Sequence, residues 1–329
     1  MIDIASFKDT LLLKSTDFNS AALELFQYQA EHCAPYKRFL EGLSIDVRSI
    51  SSWEDIPHLP IEAFKNHEVK SGDFDAEVTY TSSGTTGQNT SRHYVREKSW
   101  YHRVFEAAFR DKYGDPSEFQ WLCLLPSYLE RKGSSLIDMA DAFIQSSKFD
   151  GSGFYLSNLD DLKTQLEKSV KDEIPTVLLG VSFALLDLAE EHPMSLSNSI
   201  VIMETGGMKG RRKELIRDEL HAILKEAFHV EMIHSEYGMT ELMSQAYSSG
   251  NGRYTTPPWM RITLRDPADP LSKVRDGKTG GINIIDLANV DSCAFIATQD
   301  LGRIYPDATF EVLGRFDQSD IRGCNLLVL

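Results

Sequence analysis

The chain of 329 residues is long enough for two domains of about 150 residues, or for one large domain. Its composition, 42% hydrophobic and 25% charged, is that of a globular protein that needs neither disulfides nor a structural metal to form a core. The formal charge of −15 argues against nucleic acid or an anionic membrane as the main partner, since both would be repelled. A small anionic substrate is still allowed, because backbone dipoles can hold a phosphate locally.

The chain is expected to be cytoplasmic. Residues 1–13 carry several charges and lack the cleavage site of a signal peptide, and the longest apolar run, 177–189, is too short to span a bilayer. Neither a CxxC pair nor a histidine spacing typical of metal ligands is present, so the cysteines are expected to be reduced thiols. The four cysteines are Cys33, Cys123, Cys293 and Cys324.

Three regions are predicted in chain order. Residues 1–75 form a helical N-terminal segment with an amphipathic helix at 19–31, followed by a proline-punctuated stretch at 56–65. Over 76–250, short apolar runs alternate with amphipathic segments, which predicts an α/β core with a parallel sheet covered by helices on both faces. Over 251–329, glycine and proline become frequent, which indicates a smaller β-rich subdomain.

The boundaries of the individual elements follow from the same patterns. Strands are predicted at 77–80, 121–125, 176–179, 200–203, 230–233, 281–285, 294–297 and 309–313. Further helices are predicted at 100–112, 135–145, 159–170, 181–190 and 212–227.

The strongest motif is a loop rich in serine, threonine and glycine that directly follows the predicted strand 77–80. Its residues are Ser82, Ser83, Gly84, Thr85, Thr86 and Gly87. The two glycines and the hydroxyl groups give a nest of N–H and O–H donors that suits the phosphates of a nucleotide. The GK[ST] ending of a Walker A loop is absent. For this motif alone, an ordinary surface turn is an equally good interpretation.

A second motif, YGMTE, follows the predicted strand 230–233, and the carboxyl ends of parallel strands are where α/β sheets place ligand contacts. Tyr237 could lie against a base, Thr240 could hydrogen-bond a phosphate oxygen and Glu241 could hold Mg²⁺, with Gly238 between them. Taken alone, the motif is better explained as a turn in which Thr240 caps a helix.

Two weaker signals complete the set. Gly206 and Gly207 follow the predicted strand 200–203, where paired glycines allow the backbone to approach a flat ligand closely. Asp300 and Arg315 lie in the late QDLGR and GRFD stretches, and in a chain this charged they indicate little by themselves.

In this order, the motifs resemble those of adenylate-forming enzymes. The chain resembles the acyl-CoA synthetase superfamily and, within it, the LuxE-like acyl-protein synthetases of bacterial bioluminescence, with phenylacetate–CoA ligases as more distant relatives. The resemblance runs from 56–65 to 320–325 and so covers nearly the whole chain. It implies ATP and Mg²⁺ as cofactors and in-line attack of a carboxylate on the α-phosphorus of ATP, which releases pyrophosphate and leaves an acyl-adenylate.

The resemblance also implies roles for individual residues. The loop Ser82–Gly87 would wrap the triphosphate, while Gly206 and Gly207 would line the adenine and acyl pockets. Within YGMTE, Tyr237 would flank the adenine next to Gly238, Thr240 would contact the α-phosphate and Glu241 would bind Mg²⁺. Asp300 would bind the ribose hydroxyls, and Arg315 would reach the ribose or the phosphates.

The end of the chain differs from most of the superfamily. Acyl-CoA synthetases continue into a mobile C-terminal domain with a catalytic lysine, and that domain is expected to be absent here, as in LuxE-like proteins. In those proteins a cysteine near the end accepts the acyl group, and Cys324 occupies the matching place. The flanking Arg322 and Gly323 could activate the Cys324 thiol, whereas packing in a final strand is the alternative. Lys209, beside the glycine pair, is the nearest replacement for the missing lysine.

The leading hypothesis is therefore an AMP-forming ligase that activates a small carboxylic acid and transfers the acyl group to Cys324. A fatty acid follows only from the resemblance. The alternatives are a ligase that acylates CoA or a carrier protein, a non-catalytic nucleotide or acyl-adenylate binder, and a subunit that works with a reductase or an acyl carrier partner. The residues alone select neither the acid nor the acceptor.

Overall fold

The computed structural model describes residues 2–13, 16–82, 90–126, 133–156, 158–206, 215–267, 269, 271–274 and 277–315. The α-helices in these ranges are α1 (Ile4–Leu11), α2 (Phe18–His32), α3 (Ala34–Gly42), α4 (Ala63–Asn66), α5 (Lys98–Tyr113), α6 (Ser135–Ser146), α7 (Leu159–Lys171), α8 (Ser182–Glu191) and α9 (Arg217–Phe228). None of the helices in the described part of the chain is both long and apolar enough to cross a bilayer.

The strands before residue 240 are β1 (Leu59–Pro60), β2 (Val78–Thr81), β3 (Arg92–Val95), β4 (Gln120–Leu124), β5 (Gly153–Phe154), β6 (Thr176–Val181), β7 (Ile200–Thr205) and β8 (His234–Tyr237). The later strands are β9 (Ala246–Ser248), β10 (Tyr254–Thr255), β11 (Met260–Arg265), β12 (Gly280–Asp286), β13 (Phe295–Ile304) and β14 (Phe310–Arg315). The helices and strands belong to two compact units, each composed of separate stretches of the chain.

The second unit, formed by the described residues of 105–238 and 245–254, contains a parallel sheet. The strand order is β5-β4-β6-β7-β8, and β9 runs antiparallel to β8. Every residue of β4 and β6 is buried, as is typical of strands covered on both faces. In the core, Trp121 stacks on Phe143 with ring centroids 4.3 Å apart. The carboxyl ends of β6, β7 and β8 meet at one edge of this sheet.

The first unit, formed by the described residues of 2–104, 239–244 and 255–315, contains an antiparallel sheet in the order β11-β12-β13-β14. Strand β1 adds to it in parallel beside β13. Strands β2 and β3 form a separate antiparallel hairpin. The predicted α/β fold with a parallel-rich sheet and a β-rich later part is confirmed, whereas the boundaries near 75 and 250 stay predictions.

The N-terminal helices of the first unit hold the loop between β12 and β13. The Gln29 amide in α2 donates to the carbonyls of Asn289 and Val290 at 2.9 and 3.1 Å, and its oxygen accepts from the Ala294 N–H at 2.8 Å. The Lys8 ammonium in α1 pairs with Asp291 at 2.6 Å. Helices α1 and α2 thus fix the loop between β12 and β13, which contains Asn289.

The prediction of a strand at 230–233 is wrong. Helix α9 ends at Phe228, and His229 caps it in a left-handed conformation with a φ of +50°. The pairing with β7 begins only at His234. The stretch 230–233, which is apolar except for Glu231, leads from the helix to the strand. Within it, Ile233 is fully buried and Met232 is exposed. Strand β8 itself has the polar sequence HSEY, so apolar periodicity could not find it. Tyr237 is therefore the last residue of the strand rather than a residue after it.

Candidate functional site

Ser82, the first residue of the predicted phosphate loop, is hydrogen-bonded to Ser91, which follows the loop. The Ser82 N–H donates to the Ser91 carbonyl at 3.1 Å, and the Ser91 N–H donates to Ser82 Oγ at 3.0 Å. These bonds continue the β2–β3 hairpin, in which Thr81 pairs with Arg92. Ser83, Gly84, Thr85, Thr86 and Gly87 lie outside the described residues, and their phosphate-binding role stays a prediction.

Glu241 lies buried beside the same hairpin. The residue is 5% exposed, and its carboxyl group accepts a hydrogen bond from the Ser91 side chain. Burial raises the pKa of Glu241, while the Ser91 hydrogen bond and the positive charges of Arg315 and Lys65 oppose the rise. Ser91 therefore connects Ser82, at the start of the predicted loop, with Glu241 of the YGMTE motif.

The backbone of Thr240 and Glu241 is held by the side chains of His93 and Asn289. His93 Nδ1 lies 2.8 Å from the Thr240 carbonyl oxygen, and His93 Nε2 lies 2.9 Å from Asn289 Oδ1. The Asn289 amide donates to the Glu241 carbonyl at 2.7 Å. Since Asn289 belongs to the loop that α2 holds, the N-terminal helices stabilise the position of this turn.

The residues after Glu241 are fixed by the buried carboxylate of Asp286 at the end of β12. It accepts hydrogen bonds from the N–H groups of Met243 and Ser244 at 2.9 and 3.0 Å and from the Ser244 hydroxyl at 2.7 Å. Burial raises the pKa of Asp286, which is fully buried, and these hydrogen bonds oppose the rise. Strand β12 therefore anchors the segment that contains Thr240 and Glu241.

Asp300 and Arg315 face each other across β13 and β14. They are register partners, and Arg315 Nε lies 3.5 Å from Asp300 Oδ1. The Asp300 side chain is 13% exposed, whereas that of Arg315 is 71% exposed. The first unit thus contains Ser82, Thr240, Glu241, Asp300 and Arg315, and the charge of Arg315 reaches the Glu241 carboxyl.

In the second unit, Gly206 and the Tyr237–Gly238 pair lie at the ends of the neighbouring strands β7 and β8. Gly206 has a φ of +68°, a conformation that favours glycine, and its carbonyl accepts from the Ser182 hydroxyl at 2.5 Å. The Tyr237 ring meets the Tyr254 ring edge-on, with centroids 5.9 Å apart. A Cβ at Gly238 would lie 2.4 Å from Glu236 Oε1, so the backbone here packs directly on that carboxyl group.

Two buried carboxyl groups, to which the sequence assigned no role, lie at the ends of β7 and β8. Glu204 and Glu236 are 5% and 7% exposed. Although burial raises the pKa of Glu204, its contacts with His221 and Arg217 bring it below the usual value. Burial raises the pKa of Glu236 to about 7; the Thr205 hydroxyl, which donates to it, opposes the rise, and the charge of Glu204 adds to it. Nothing local marks either residue, because the environment forms only when the strands pair.

Three other predicted site residues, Gly207, Lys209 and Cys324, lie outside the described residues, and their roles stay predictions. The remaining cysteines, Cys33, Cys123 and Cys293, are buried free thiols. Burial raises the pKa of each of them, that of Cys33 to about 11. A neutral, enclosed thiol is a poor nucleophile.

Comparison with known proteins matches residues 156–329 to the family model described as acyl-protein synthetase, LuxE. A curated relative is the long-chain-fatty-acid–luciferin-component ligase of Aliivibrio fischeri. It is 26% identical over 310 residues, which cover 83% of this chain and 78% of the relative.

Among solved structures, ATP-bound MatB from Rhodopseudomonas palustris is similar with a TM-score of 0.55 and 15% identity, over 74% of this chain and 49% of MatB. A 2-hydroxyisobutyryl-CoA ligase in the postadenylation state gives a TM-score of 0.63 and 12% identity, over 96% of this chain and 69% of the ligase. O-succinylbenzoate coenzyme A synthetase (MenE) from Bacillus subtilis, in complex with ATP and magnesium, gives a TM-score of 0.51 and 20% identity, over 74% of this chain and 51% of MenE. This chain spans about half the length of MatB and MenE.

The structural likeness shows the fold of adenylate-forming ligases. The family match covers more than half of the chain, and the predicted resemblance is thereby confirmed. The chain belongs to the LuxE acyl-protein synthetase family.

Proposed function

We propose that this protein activates a carboxylic acid with ATP and then transfers the acyl group to a thiol. The carboxylate attacks the α-phosphorus, the bond to the β-phosphate oxygen breaks, and pyrophosphate leaves. A thiolate then attacks the acyl carbon of the adenylate, forming a thioester and releasing AMP. The name of the Aliivibrio fischeri relative supports a long-chain fatty acid as the substrate.

The observation that carries this proposal is the connection of Ser82 to Glu241 through Ser91. It joins the start of a loop suited to phosphates with a carboxylate suited to a metal–nucleotide complex. The proposed roles follow the motif order: Thr240 contacts the α-phosphate, Asp300 binds the ribose hydroxyls and the exposed Arg315 reaches the phosphates. In the second unit, Tyr237 flanks the adenine and Gly206 lines the pocket.

Glu241 fits Mg²⁺ by its chemistry. Mg²⁺ prefers hard oxygen ligands and is commonly held by one or two carboxylates together with substrate phosphates. The Glu241 carboxyl group is buried, so its ionisation costs free energy unless a cation lies beside it. When bound with ATP, Mg²⁺ neutralises charge on the phosphates, which lowers the barrier to pyrophosphate departure.

Cys324 is the proposed acyl acceptor. The other cysteines are buried, and burial holds their pKa values above the ordinary range, so none of them offers a reactive thiolate. Cys324 occupies the position near the chain end where LuxE-like proteins carry the acceptor. In the transfer step, Lys209 is the proposed cation that offsets negative charge on the departing AMP.

The test is exchange of labelled pyrophosphate into ATP, measured with a panel of carboxylic acids of different chain lengths. Exchange that depends on the acid, and is strongest with long-chain acids, supports the proposal. The absence of exchange with every acid would contradict the proposal and support a non-catalytic nucleotide binder instead. If exchange occurs but added CoA, rather than the protein, becomes acylated, the activation step stands and the acceptor is wrong.

A further inference from the structure

We propose that Glu236 is a positioning residue that acts as a neutral carboxyl group, and that it holds the Tyr237–Gly238 end of β8 in the arrangement needed for adenylation. The proposal rests on the proposed function, because Tyr237 is there assigned to the adenine. It assigns a role to Glu236, the residue directly before Tyr237, and makes adenylation depend on the proton of its carboxyl group.

The first observation is the unequal pairing of two buried carboxyl groups at one sheet edge. Glu204 lies 3.6 Å from Arg217 Nε and 3.7 Å from His221 Nε2. Its negative charge is therefore compensated. Glu236, on the adjacent strand, accepts a hydrogen bond from Thr205, and no cation of the described residues pairs with it.

The second observation is the charge that surrounds Glu236. On the neighbouring strand β7 it faces the ionised Glu204, and on β10 it faces the phenol of Tyr254. The Arg217 guanidinium and the His221 ring of α9 face Glu204 instead. An ionised Glu236 would place a second negative charge in a buried site, so the proton is retained, consistent with the rise of its pKa to about 7.

The third observation links this carboxyl group to the motif. Glu236 Oε1 lies where a side chain at Gly238 would begin, 2.4 Å from the Cβ position, and Gln245 Cγ lies 3.4 Å from the same point. The absence of a side chain lets the backbone of the Tyr237–Gly238 pair rest on the carboxyl group. The other oxygen of Glu236 accepts a hydrogen bond from Thr205, the residue directly before Gly206. Glu236 thus connects the ends of β7 and β8, which carry both predicted turns.

The test uses Glu236→Gln, which keeps the shape and the neutral state but cannot ionise, with Glu231→Gln as the control. Glu231 is an exposed glutamate just before the same strand. The exchange assay is followed from pH 6 to pH 8, with kcat and KM for ATP measured separately. We expect kcat/KM for ATP in the wild type and in Glu231→Gln to fall about tenfold over this range, following the protonated fraction of a group with a pKa near 7. Glu236→Gln should stay within about twofold of its value at pH 6.

A second variant, Thr205→Val, separates positioning from a general structural role. It removes a hydrogen bond that lowers the pKa of Glu236, so the fall in kcat/KM should move to higher pH. A residue that only supports the fold would change the level of activity without moving the profile.

Thermal melting gives a readout that does not need activity. Because the folded state keeps the Glu236 proton that the unfolded state loses, wild-type stability should fall relative to Glu236→Gln from about pH 4.5 to about pH 7 and then level off. The difference between wild type and Glu231→Gln should stay flat. If exchange occurs but Glu236→Gln has the wild-type pH profile, or its melting difference is flat, the inference is overturned while the proposed function stands. If no acid supports exchange in the wild type, the proposed function fails and this inference fails with it.

Discussion

His93 and Asn289 meet at 2.9 Å, ring nitrogen to amide oxygen, beneath the backbone of Thr240 and Glu241. The other ring nitrogen of His93 faces the Thr240 carbonyl, and the Asn289 amide group donates to the Glu241 carbonyl. Burial lowers the pKa of His93, while its contacts with the Thr240 carbonyl and the Asn289 side chain oppose the fall. The pair thus fixes two carbonyls of the YGMTE motif.

Asn289→Ala should weaken both stability and adenylation. The substitution leaves the Glu241 carbonyl, in a buried site, without its donor, which costs about 1–3 kcal/mol in the free energy of unfolding. The displaced Thr240–Glu241 backbone should lower kcat/KM in pyrophosphate exchange by about 10- to 100-fold. Urea denaturation and the exchange assay measure the two effects. Asn198→Ala, at an exposed turn, is the control, and an equal loss in both variants would contradict the assignment.

Lys8→Met should destabilise the first unit. The Lys8 side chain is 7% exposed and pairs with Asp291 at 2.6 Å and Glu97 at 3.1 Å. Its loss leaves Asp291, among the described cations, with the longer contact to Arg96 at 3.4 Å. The expected cost is about 3 kcal/mol in the free energy of unfolding. Lys163→Met removes an exposed pair with Glu167 and should cost less than about 1 kcal/mol. Similar values for the two variants in urea denaturation would refute the role of Lys8.

His58 should make the protein sensitive to acid. Burial lowers its pKa to about 3, and the positive charge of Arg265 adds to the effect. The folded state therefore binds this proton less readily than the unfolded state, whose histidine has a pKa near 6.5. The resulting stability is present above pH 6.5 and is lost as the pH falls towards 3, with a slope of up to about 1.4 kcal/mol per pH unit. His58→Gln should flatten this slope in melting experiments between pH 7 and pH 4. His67 is exposed, so His67→Gln should leave the slope unchanged. An unchanged slope in His58→Gln would contradict the role of His58.

Glu241→Gln should abolish most of the activation step while leaving the fold intact. The amide keeps the shape and lacks the charge whose burial raises the pKa of Glu241, so the melting temperature should not fall. Exchange should decrease on the order of 100-fold or more, because the charge proposed to bind Mg²⁺ with ATP is gone. Glu226→Gln, in helix α9, is a control that should keep wild-type exchange. Near-normal exchange in Glu241→Gln would exclude it as the metal ligand.

Much of the fold could be predicted because its signals are local. Helix α7 matches its predicted range closely: Asn158 caps it, acidic residues begin it, and Leu162 and Leu166 recur on its buried face. The strands β4, β6 and β7 were found as continuous apolar runs, which is how strands buried on both faces read. The motif order was sufficient to find the family.

The parts that could not be predicted depend on contacts between distant segments. Strand β8 was misplaced because its residues are polar although Ser235 and Glu236 are buried, so a rule based on apolar runs selected the preceding four residues. Nothing in the local sequence distinguishes Asn289 and Asp286 from ordinary loop and strand residues, because their role comes from contacts with the distant 239–244 segment. The raised pKa of Glu236 likewise has no local signature, since it arises from burial beside Glu204.

The central claim is that an acyl-adenylate formed by this protein passes its acyl group to Cys324. The most direct measurement is the intact mass of the protein after incubation with ATP, Mg²⁺ and a long-chain fatty acid. The wild type should gain one acyl group that neutral hydroxylamine removes, as should Cys33→Ala, which lacks a buried thiol. Cys324→Ser should gain no hydroxylamine-sensitive acyl group and still exchange pyrophosphate. A thioester on Cys324→Ser, or an unmodified wild type that exchanges pyrophosphate normally, would contradict the claim.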